Sequence, residues 1–300
     1  MSSKDILSVI IITFKRNGLL QKCLESLVSQ LSLTEEIVIV DNYKKGYAKK
    51  ICQNFKKKLK IKYFYEPKKG PSYARNLGFK KSKGKEVVFL DDDCLVCKNW
   101  LKKIRYLLDS NPSENLIFQG KINHIFEVQN SLSNFFYWQN ENAWQEIKAG
   151  PSWNLSKNYL NFINAGNFFG EKRVFSQLDC LFDARRFPYI CEEKDLAYRC
   201  QLKGIGIVYA PKAAVNHIKD KPTLRKLIKR SFMTGKKEAL LESKYKIEDK
   251  KILNLFKAYF NNNKYKKTKL GIRLWFYFFV KKIFLILGKN WGRIFNSETR

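Results

Sequence analysis

The 300-residue sequence contains few prolines, seven in all, and it has no Gly/Ser-rich linker and no internal repeat. With a hydrophobic fraction of 45%, this composition excludes a disordered or fibrous chain. The length predicts one large α/β domain with an appendage, or two domains.

Cysteine usage argues against a disulfide framework, because the seven cysteines are an odd number. The first residues also lack the charged and then apolar pattern of a signal peptide. We therefore expect reduced thiols in a cytosolic protein. Cys94 and Cys97 form a lone Cys-x-x-Cys without the second pair that zinc would require, so we interpret them as small apolar residues.

Acidic residues are scarce, with 27 Asp and Glu against 58 Lys and Arg, which gives a net charge of +31. Such a charge calls for an anionic partner: nucleic acid, phosphorylated small molecules or an acidic membrane surface. Residues 221–300 contain 22 basic and 5 acidic residues, a net charge of +17. We therefore expect this last part of the chain to be a separate basic region.

Short apolar segments alternate with segments of helical periodicity through the first ninety residues. Strands are predicted at 8–14, 37–40, 60–65 and 86–90, and helices at 19–28, 44–58 and 72–81. The alternation predicts an α/β fold with an open, mostly parallel sheet flanked by helices, whose ligands bind at the carboxyl ends of the strands. The aromatic segment 122–162 has no clear period, whereas a helix is expected from about 192 and a strand at 205–209.

Asp91, Asp92 and Asp93 directly follow one of these apolar strands. Like charges at this spacing raise one another's pKa unless a cation lies between them. Mg²⁺ and Mn²⁺ are bound by one or two carboxylates together with substrate phosphate oxygens. A metal site that grips a diphosphate is therefore the favoured interpretation, and a solvated acidic turn is the alternative.

Three weaker signals leave alternatives open. Arg75 lies early in a helix after a Gly-Pro turn, where its guanidinium could bind phosphate. Glu192 and Glu193 stand at the predicted start of a helix, either complementing the helix dipole or providing a general base. His217 is one of only two histidines, and a lone histidine is more often structural than a ligand.

These segments occur in a fixed order along the chain: SVIIITFKRN, EEIVIVDN, GPSYARNLG, VVFLDDD, NAGNFF and CEEKDLAYRCQLKGIGIVYAPKAAVNH. Over roughly residues 7–218 this order resembles the inverting glycosyltransferases of family 2. The resemblance implies a GT-A catalytic domain at 1–220, with a nucleotide-sugar-binding half at 1–120 and an acceptor-side half at 121–220. A basic amphipathic helical region then occupies 221–300.

The resemblance also implies roles for individual positions. Glu193, or its neighbour Glu192, matches the catalytic base, and the order Glu-Glu departs from the family's Glu-Asp by one methylene at the second position. The implied ligands of Mn²⁺ or Mg²⁺ are Asp91, Asp93 and His217, and the implied donor-binding residues are Thr13, Phe14, Asp41, Arg75 and Asp92.

The implied reaction transfers a sugar, with inversion, from a nucleotide-diphosphate sugar, most commonly a UDP-sugar, to a hydroxyl acceptor. A glycan or lipid-linked glycan would be the acceptor, in the synthesis of surface polysaccharide, lipopolysaccharide or lipid-linked glycans. The expected location is cytoplasmic, peripherally on the inner face of the cell membrane and with an anionic membrane surface as partner.

Three rival functions are weighed against this one. A nucleic-acid-binding protein would explain the charge but not the acidic sites, so nucleic acid is not an expected partner. A sugar nucleotidyltransferase should have a Gly-rich, Arg-containing loop after its first strand, and residues 13–17 do not match it. A processive membrane synthase should have several spanning helices and a Gln-x-x-Arg-Trp segment, which is absent from the sequence.

The C-terminal region shows helical periodicity from Thr223 and again in a stripe at 272–287. Its longest uncharged run in this second stretch, 274–280, has seven residues, whereas a membrane span needs about twenty. We therefore predict helices that lie in the membrane interface, with basic side chains extending toward anionic headgroups. A subdomain that packs its apolar stripe on the catalytic core is the alternative.

Overall fold

A computed structural model describes residues 6–30, 35–112, 114–148, 163–246 and 269–296. The chain forms two compact units. The first contains residues 1–125 and 142–219, and the second contains residues 126–141 and 220–300.

The first unit is built on an eight-stranded mixed sheet with the strand order β3-β2-β1-β4-β7-β6-β8-β5. The strands β1 to β4 are parallel, β7 is antiparallel to β4 and to β6, and β5 is antiparallel to β8. The strands are β1 Leu7–Thr13, β2 Glu36–Asp41, β3 Lys60–Tyr65, β4 Glu86–Asp91, β5 Cys94–Val96, β6 Leu116–Phe126, β7 Asn167–Glu171 and β8 Gly206–Lys219.

Helices occur in both units. Those with all their residues in the first unit are α1 Asn17–Val28, α2 Lys49–Phe55, α3 Pro71–Lys81, α4 Trp100–Asp109, α6 Lys172–Phe175 and α7 Glu192–Leu202. The others are α5 Ser131–Lys148, α8 Leu224–Tyr245 and α9 Lys269–Asn296.

Side chains alternate along the central strand and so supply two cores, one on each face of the sheet. Val9 and Ile11 are fully buried in a core shared with α1, α2 and α4. Ile10 points the other way, into a core shared with α3 and α7. Gly78 lets α3 approach this second face closely, because a Cβ there would collide with Ile10. Burial on both faces explains why β1 reads as an unbroken apolar run.

The parallel half of the sheet brings the ends of β1, β2 and β4 to one edge. Thr13 pairs with Asp41 across β1 and β2, and Ile12 pairs with Asp91 across β1 and β4. The carboxylates predicted at strand ends therefore lie at the same edge, which is where ligands bind in open α/β sheets.

The second unit has its own small core. Leu132 and Phe135 from α5 are buried with Leu227 from α8, and Tyr277 and Val280 from α9 pack against them. Among the described residues, no helix is both long enough and apolar enough to cross a membrane.

The predicted strands of the first ninety residues are confirmed, and the helix expected at 44–58 is shorter, spanning Lys49–Phe55. The strand expected at 205–209 begins at Gly206 and continues to Lys219, so it is longer than the sequence pattern indicated. The aromatic segment contributes the end of β6 and the helix α5, while residues 149–162 and 247–268 lie outside the described residues.

Candidate functional site

Asp92 and Asp93, which directly follow β4, lie next to the end of β1. The Thr13 hydroxyl donates a hydrogen bond to Asp92 Oδ2 over 2.7 Å. Arg16 donates to Asp93 Oδ2 over 2.6 Å and lies 3.4 Å from Asp92 Oδ1. Arg16 is half exposed, so this cation sits at the mouth of the acidic cluster.

Arg75 connects Asp91, the last residue of β4, to the start of α7. Its guanidinium is buried, donates to Asp91 Oδ1 over 2.9 Å and to Glu192 Oε1 over 3.3 Å, and lies 5.5 Å from the ring centroid of Phe182. Burial lowers the pKa of Arg75, but the charges of Asp91, Glu192 and Glu193 outweigh burial and raise it. Arg75 therefore stays charged and holds two carboxylates in place.

Glu193 is placed differently from its neighbour. One of its oxygens accepts a hydrogen bond of 2.6 Å from the Ala165 backbone N–H, and no arginine contact to it is seen in the described residues. Burial, followed by the charge of Glu192, raises the pKa of Glu193 to about 7. A carboxylate with a pKa near neutrality is suited to accept a proton at physiological pH.

His217 lies next to Asp93 because β8 pairs with β5, where Cys94 is opposite His217. Its Nε2 is 2.8 Å from Asp93 Oδ1 and also 2.8 Å from Lys219 Nζ. One ring nitrogen cannot donate to the first and accept from the second at once, so these contacts compete. The other nitrogen, Nδ1, is buried without a hydrogen-bond partner in the described part of the chain.

This unsatisfied arrangement fits a divalent cation. Ligand atoms of Asp93, Cys94 and His217 all lie within 4.8 Å of one another. Burial, with the charges of Asp91 and Asp93, raises the pKa of the Cys94 thiol well above its usual range, whereas a bound cation would act in the opposite direction. Asp93 and His217 add a carboxylate and an imidazole, which are common ligands of divalent cations.

The neighbouring aspartates differ in charge state. Burial and then the charge of Asp93 raise the pKa of Asp92 to about 7. Burial acts the same way on Asp93, but the hydrogen bond from His217 and the charges of His217, Lys219 and Arg16 outweigh it and lower the pKa to about 2. Asp93 is therefore the carboxylate that remains ionised at neutral pH.

Asp41 lies at the end of β2 and organises the loop that follows it. Its carboxylate is fully buried and accepts hydrogen bonds from the Tyr43 and Ala48 backbone N–H groups and from the Tyr63 hydroxyl. Three donors from the protein hold the loop of residues 43–48 against the strand end.

Phe14 and the loop held by Asp41 form an exposed aromatic rim. The Phe14 ring meets Tyr43 edge to face at 5.3 Å, and Tyr43 meets Tyr47 at 4.9 Å. Lys69 Nζ lies 5.7 Å from the Phe14 ring and 5.8 Å from the Tyr43 ring. The rings are nearly perpendicular to one another, so a planar heterocycle can stack on the exposed face of one of them, beside the Lys69 cation.

The predicted residues fall into two groups. Those around the aspartates and α7 form two sets of contacts that meet at the consecutive aspartates, whereas Asp41 and Phe14 lie at the neighbouring strand ends. Sequence analysis missed Arg16, Lys219 and the Ala165 N–H. Arg16 was detectable as a cation directly after the first strand, but nothing in the sequence pairs it with residues 76 positions away.

Comparison with solved structures shows the fold. Residues 1–349 of S. aureus TarS in complex with UDP-GlcNAc match with a TM-score of 0.57 at 18% identity, covering 78% of this chain and 65% of that one. A mannosyltransferase from Pyrobaculum calidifontis, PcManGT with GDP-Man and Mn²⁺, matches with a TM-score of 0.56 at 15% identity, covering 80% and 65%. The predicted α/β fold of the GT-A type is confirmed, with an antiparallel half added to the parallel one.

Sequence comparisons point the same way. A Campylobacter jejuni protein, GalNAc(5)-diNAcBac-PP-undecaprenol beta-1,3-glucosyltransferase, is 39% identical over 90 residues, 29% of each chain. This chain covers between 15% and 29% of the length of the first curated relatives that it matches. The family model described as "Glycosyl transferase family 2" matches residues 8–178, more than half of the sequence and all four parallel strands. The predicted family is therefore confirmed: the chain belongs to glycosyl transferase family 2.

Proposed function

We propose that this chain transfers a sugar from a nucleoside-diphosphate sugar to a hydroxyl acceptor, with inversion and with the help of a divalent metal. The observation that carries the proposal is the position of Glu193. This carboxylate has a pKa raised to about 7 and lies beside a buried cluster of Asp91, Arg75 and Glu192 at the strand-end edge of the sheet.

Glu193 acts as the general base in this proposal. An acceptor hydroxyl is a poor nucleophile until a base removes its proton as it attacks the anomeric carbon. Glu192 is less suited to this role because its carboxylate is buried and engaged by Arg75. The single in-line displacement inverts the anomeric configuration. Arg75 holds the start of α7 in place by binding both Glu192 and Asp91.

The departing nucleoside diphosphate gains negative charge, which nearby cations stabilise. Arg16 and Lys219 stand beside Asp93, on the side where a diphosphate would complete the site. A bound Mn²⁺ or Mg²⁺ would be held by Asp93 and His217, with Asp91 as a further carboxylate, and would neutralise leaving-group charge. Thr13 and Asp92 support this group by fixing the turn after β4.

The donor nucleotide is assigned to the neighbouring strand ends. Its base stacks on the aromatic rim of Phe14 and Tyr43, beside the Lys69 cation, and Asp41 holds the loop that contains Tyr43. UDP-sugars are the first donors to test, because similar structures contain UDP-GlcNAc or UDP. The Campylobacter relative is named for an undecaprenol-linked substrate, which supports a lipid-linked glycan acceptor and a peripheral position at the inner membrane surface.

Transfer with a Glu193→Gln variant tests the proposal. A panel of UDP- and GDP-sugars is first screened for binding by calorimetry, with and without Mn²⁺, and turnover is then followed with the donor found. Glu193→Gln should keep donor affinity and lose roughly 10²- to 10⁴-fold in kcat, because the amide keeps the shape and removes the base. Glu192→Gln should lose much less.

Metal removal supplies the second arm of the same experiment. EDTA, or an Asp93→Asn substitution, should weaken nucleotide binding, and Mn²⁺ should restore it in the unmodified chain only. Full turnover by Glu193→Gln, or donor binding that neither EDTA nor Asp93→Asn affects, would contradict the proposed chemistry.

A further inference from the structure

The pairing of α8 with α9 is unusual in what it buries. Gly235 of α8 and Gly288 of α9 bring the two backbones into direct contact, since a Cβ at Gly235 would collide with the Leu285 carbonyl and one at Gly288 with the Phe232 carbonyl. A Cβ at Gly292 would lie 2.7 Å from the Lys236 carbonyl oxygen. Glycines therefore form the closest part of this contact between the helices.

Charged groups are also part of this contact. Lys289 is buried, with its Nζ 2.5 Å from Glu242 and 3.7 Å from Glu238. Arg293 adds a second contact to Glu242 over 3.1 Å. Ion pairs removed from water in this way contribute little net stability to a soluble protein.

Large apolar side chains of α9 face solvent instead. Leu287 and Trp291 are 48% and 47% exposed and lie one helical turn apart, and Phe276 is 46% exposed on the same face. In water a helix pair normally turns its apolar stripe inward. In the C-terminal half of α9 the order is reversed: glycine and Lys289 are buried against α8, whereas Leu287 is exposed and Trp291 is half exposed although its ring contacts Phe232 of α8.

Such a reversal is the usual arrangement of helices in contact with lipid. There, small residues in a Gly-x-x-x-Gly spacing, as at Gly288 and Gly292, allow close backbone packing, polar groups face the partner helix, and apolar side chains face the acyl chains. The charge of the surrounding sequence fits the same environment, because residues 221–300 have a net charge of +17. Arg273 is exposed one turn before Phe276 on this face.

We propose that α8 and α9 form a membrane-docking hairpin, in which the exposed face of α9 around Phe276, Leu287 and Trp291 enters the outer part of an anionic lipid leaflet. This extends the membrane association in the proposed function and assigns it to one helix face. Basic residues draw the chain to anionic headgroups, and the apolar face supplies binding that salt does not remove.

Vesicle flotation with the full chain tests this assignment. The probes are vesicles of phosphatidylcholine with about one third phosphatidylglycerol, and phosphatidylcholine vesicles as the neutral reference. The Leu287→Gln, Trp291→Gln double variant removes apolar surface without changing charge. It should lower partitioning into anionic vesicles by about tenfold or more, because two large apolar side chains no longer enter the leaflet.

Tyr106→Gln is the matched control, since Tyr106 is a large aromatic side chain on α4 that is 70% exposed. It should partition like the unmodified chain. Far-UV circular dichroism and the melting temperature should be equal in all three proteins, which shows that each is folded. Vesicle binding is measured without donor or acceptor, so it stands or falls independently of glycosyl transfer.

Three results would overturn the assignment. The double variant could partition as well as the unmodified chain, or Tyr106→Gln could lose partitioning equally. The unmodified chain could also ignore vesicles and form dimers that the double substitution dissociates, in which case the face binds a second copy of the chain.

Discussion

In the proposed mechanism, Arg75 determines which of two adjacent glutamates is available as the base. Their position in the first turn of a helix leaves Glu192 and Glu193 equivalent, although the family resemblance favours Glu193. The ion pair from Arg75 to Glu192 breaks this equivalence, while Glu193 contacts only a backbone N–H among the partners described for it. Arg75 is a positioning residue in this arrangement, since its guanidinium is buried among protein groups.

The raised pKa of Glu193 predicts a pH dependence with a definite sign. The base must be deprotonated, so kcat/KM should rise about tenfold per pH unit below pH 7 and level off above it. Folding stability should change in the opposite direction. A carboxyl whose folded pKa exceeds its usual 4.5 stabilises the folded state most at low pH, and this contribution is lost as pH rises toward 7.

Pre-steady-state or initial-rate pH profiles check this expectation. Glu192→Gln is the informative control, because removal of the Glu192 charge should lower the pKa of Glu193 and shift the profile to lower pH. A profile with its midpoint near pH 4.5 in the unmodified enzyme would contradict the assigned role of Glu193.

Single residues at strand ends were the part of the site that sequence could predict. Asp91, Asp92 and Asp93 follow an apolar strand, and the strand-end rule for parallel sheets places such residues at the ligand edge. The family resemblance grouped His217 with Asp93, but the partner Arg16 could not be predicted, because it reaches Asp93 only through long-range strand pairing. Only folding shows that Asp41 uses its carboxylate to hold a loop.

At the scale of whole elements, predictability followed burial. Strands such as β1 and β4 are buried on both faces and stand out as apolar runs, whereas the three-residue β5 is too short to show a period. Gln119 and Gly120 interrupt β6 with polar and small residues that make hydrogen bonds or close contacts inside the sheet. Helix α4 was not predicted from the sequence, although its apolar residues Trp100, Ile104 and Leu108 recur at helical spacing on one face.

Glycines in the hairpin of α8 and α9 give an element-scale prediction. Gly288→Ala should destabilise the hairpin, because its Cβ meets the Phe232 carbonyl, and overpacking of this kind costs about 1–3 kcal/mol. Gly18→Ala in α1 is the matched control, since a Cβ there meets nothing within 4 Å. Alanine at Gly18 should instead stabilise its helix by up to about 1 kcal/mol.

Hydrogen exchange separates the two outcomes better than a single melting temperature, because only part of the chain is affected. Amides of α8 and α9 should exchange faster in Gly288→Ala, while those of β1 and β4 remain protected. Equal protection of α9 in both variants would show that the backbones can move apart without cost.

At the scale of the whole molecule, the non-specific attraction of polyanions to the net charge has to be distinguished from binding of a biological partner. A charge of +31 attracts every polyanion at low ionic strength, so binding to nucleic acid in dilute buffer would say little about the biological partner. Sequence composition predicted this attraction, and periodicity predicted an apolar stripe at 272–287. Which side chains of α9 stay exposed depends on how α9 is rotated against α8.

Salt dependence distinguishes a general polyanion effect from docking on lipid. Binding of a random DNA duplex should weaken by roughly 10³-fold or more between 50 and 200 mM salt, because it rests on the release of counterions. Vesicle binding should fall less steeply over the same range, because burial of Leu287 and Trp291 in the acyl region is not screened. Fluorescence anisotropy of the labelled duplex and flotation of vesicles in the same buffers give the two slopes. DNA binding that survives 200 mM salt and depends on the DNA sequence would instead support a nucleic-acid partner. An equal salt dependence of DNA binding and vesicle binding would show that α9 contributes only its charge.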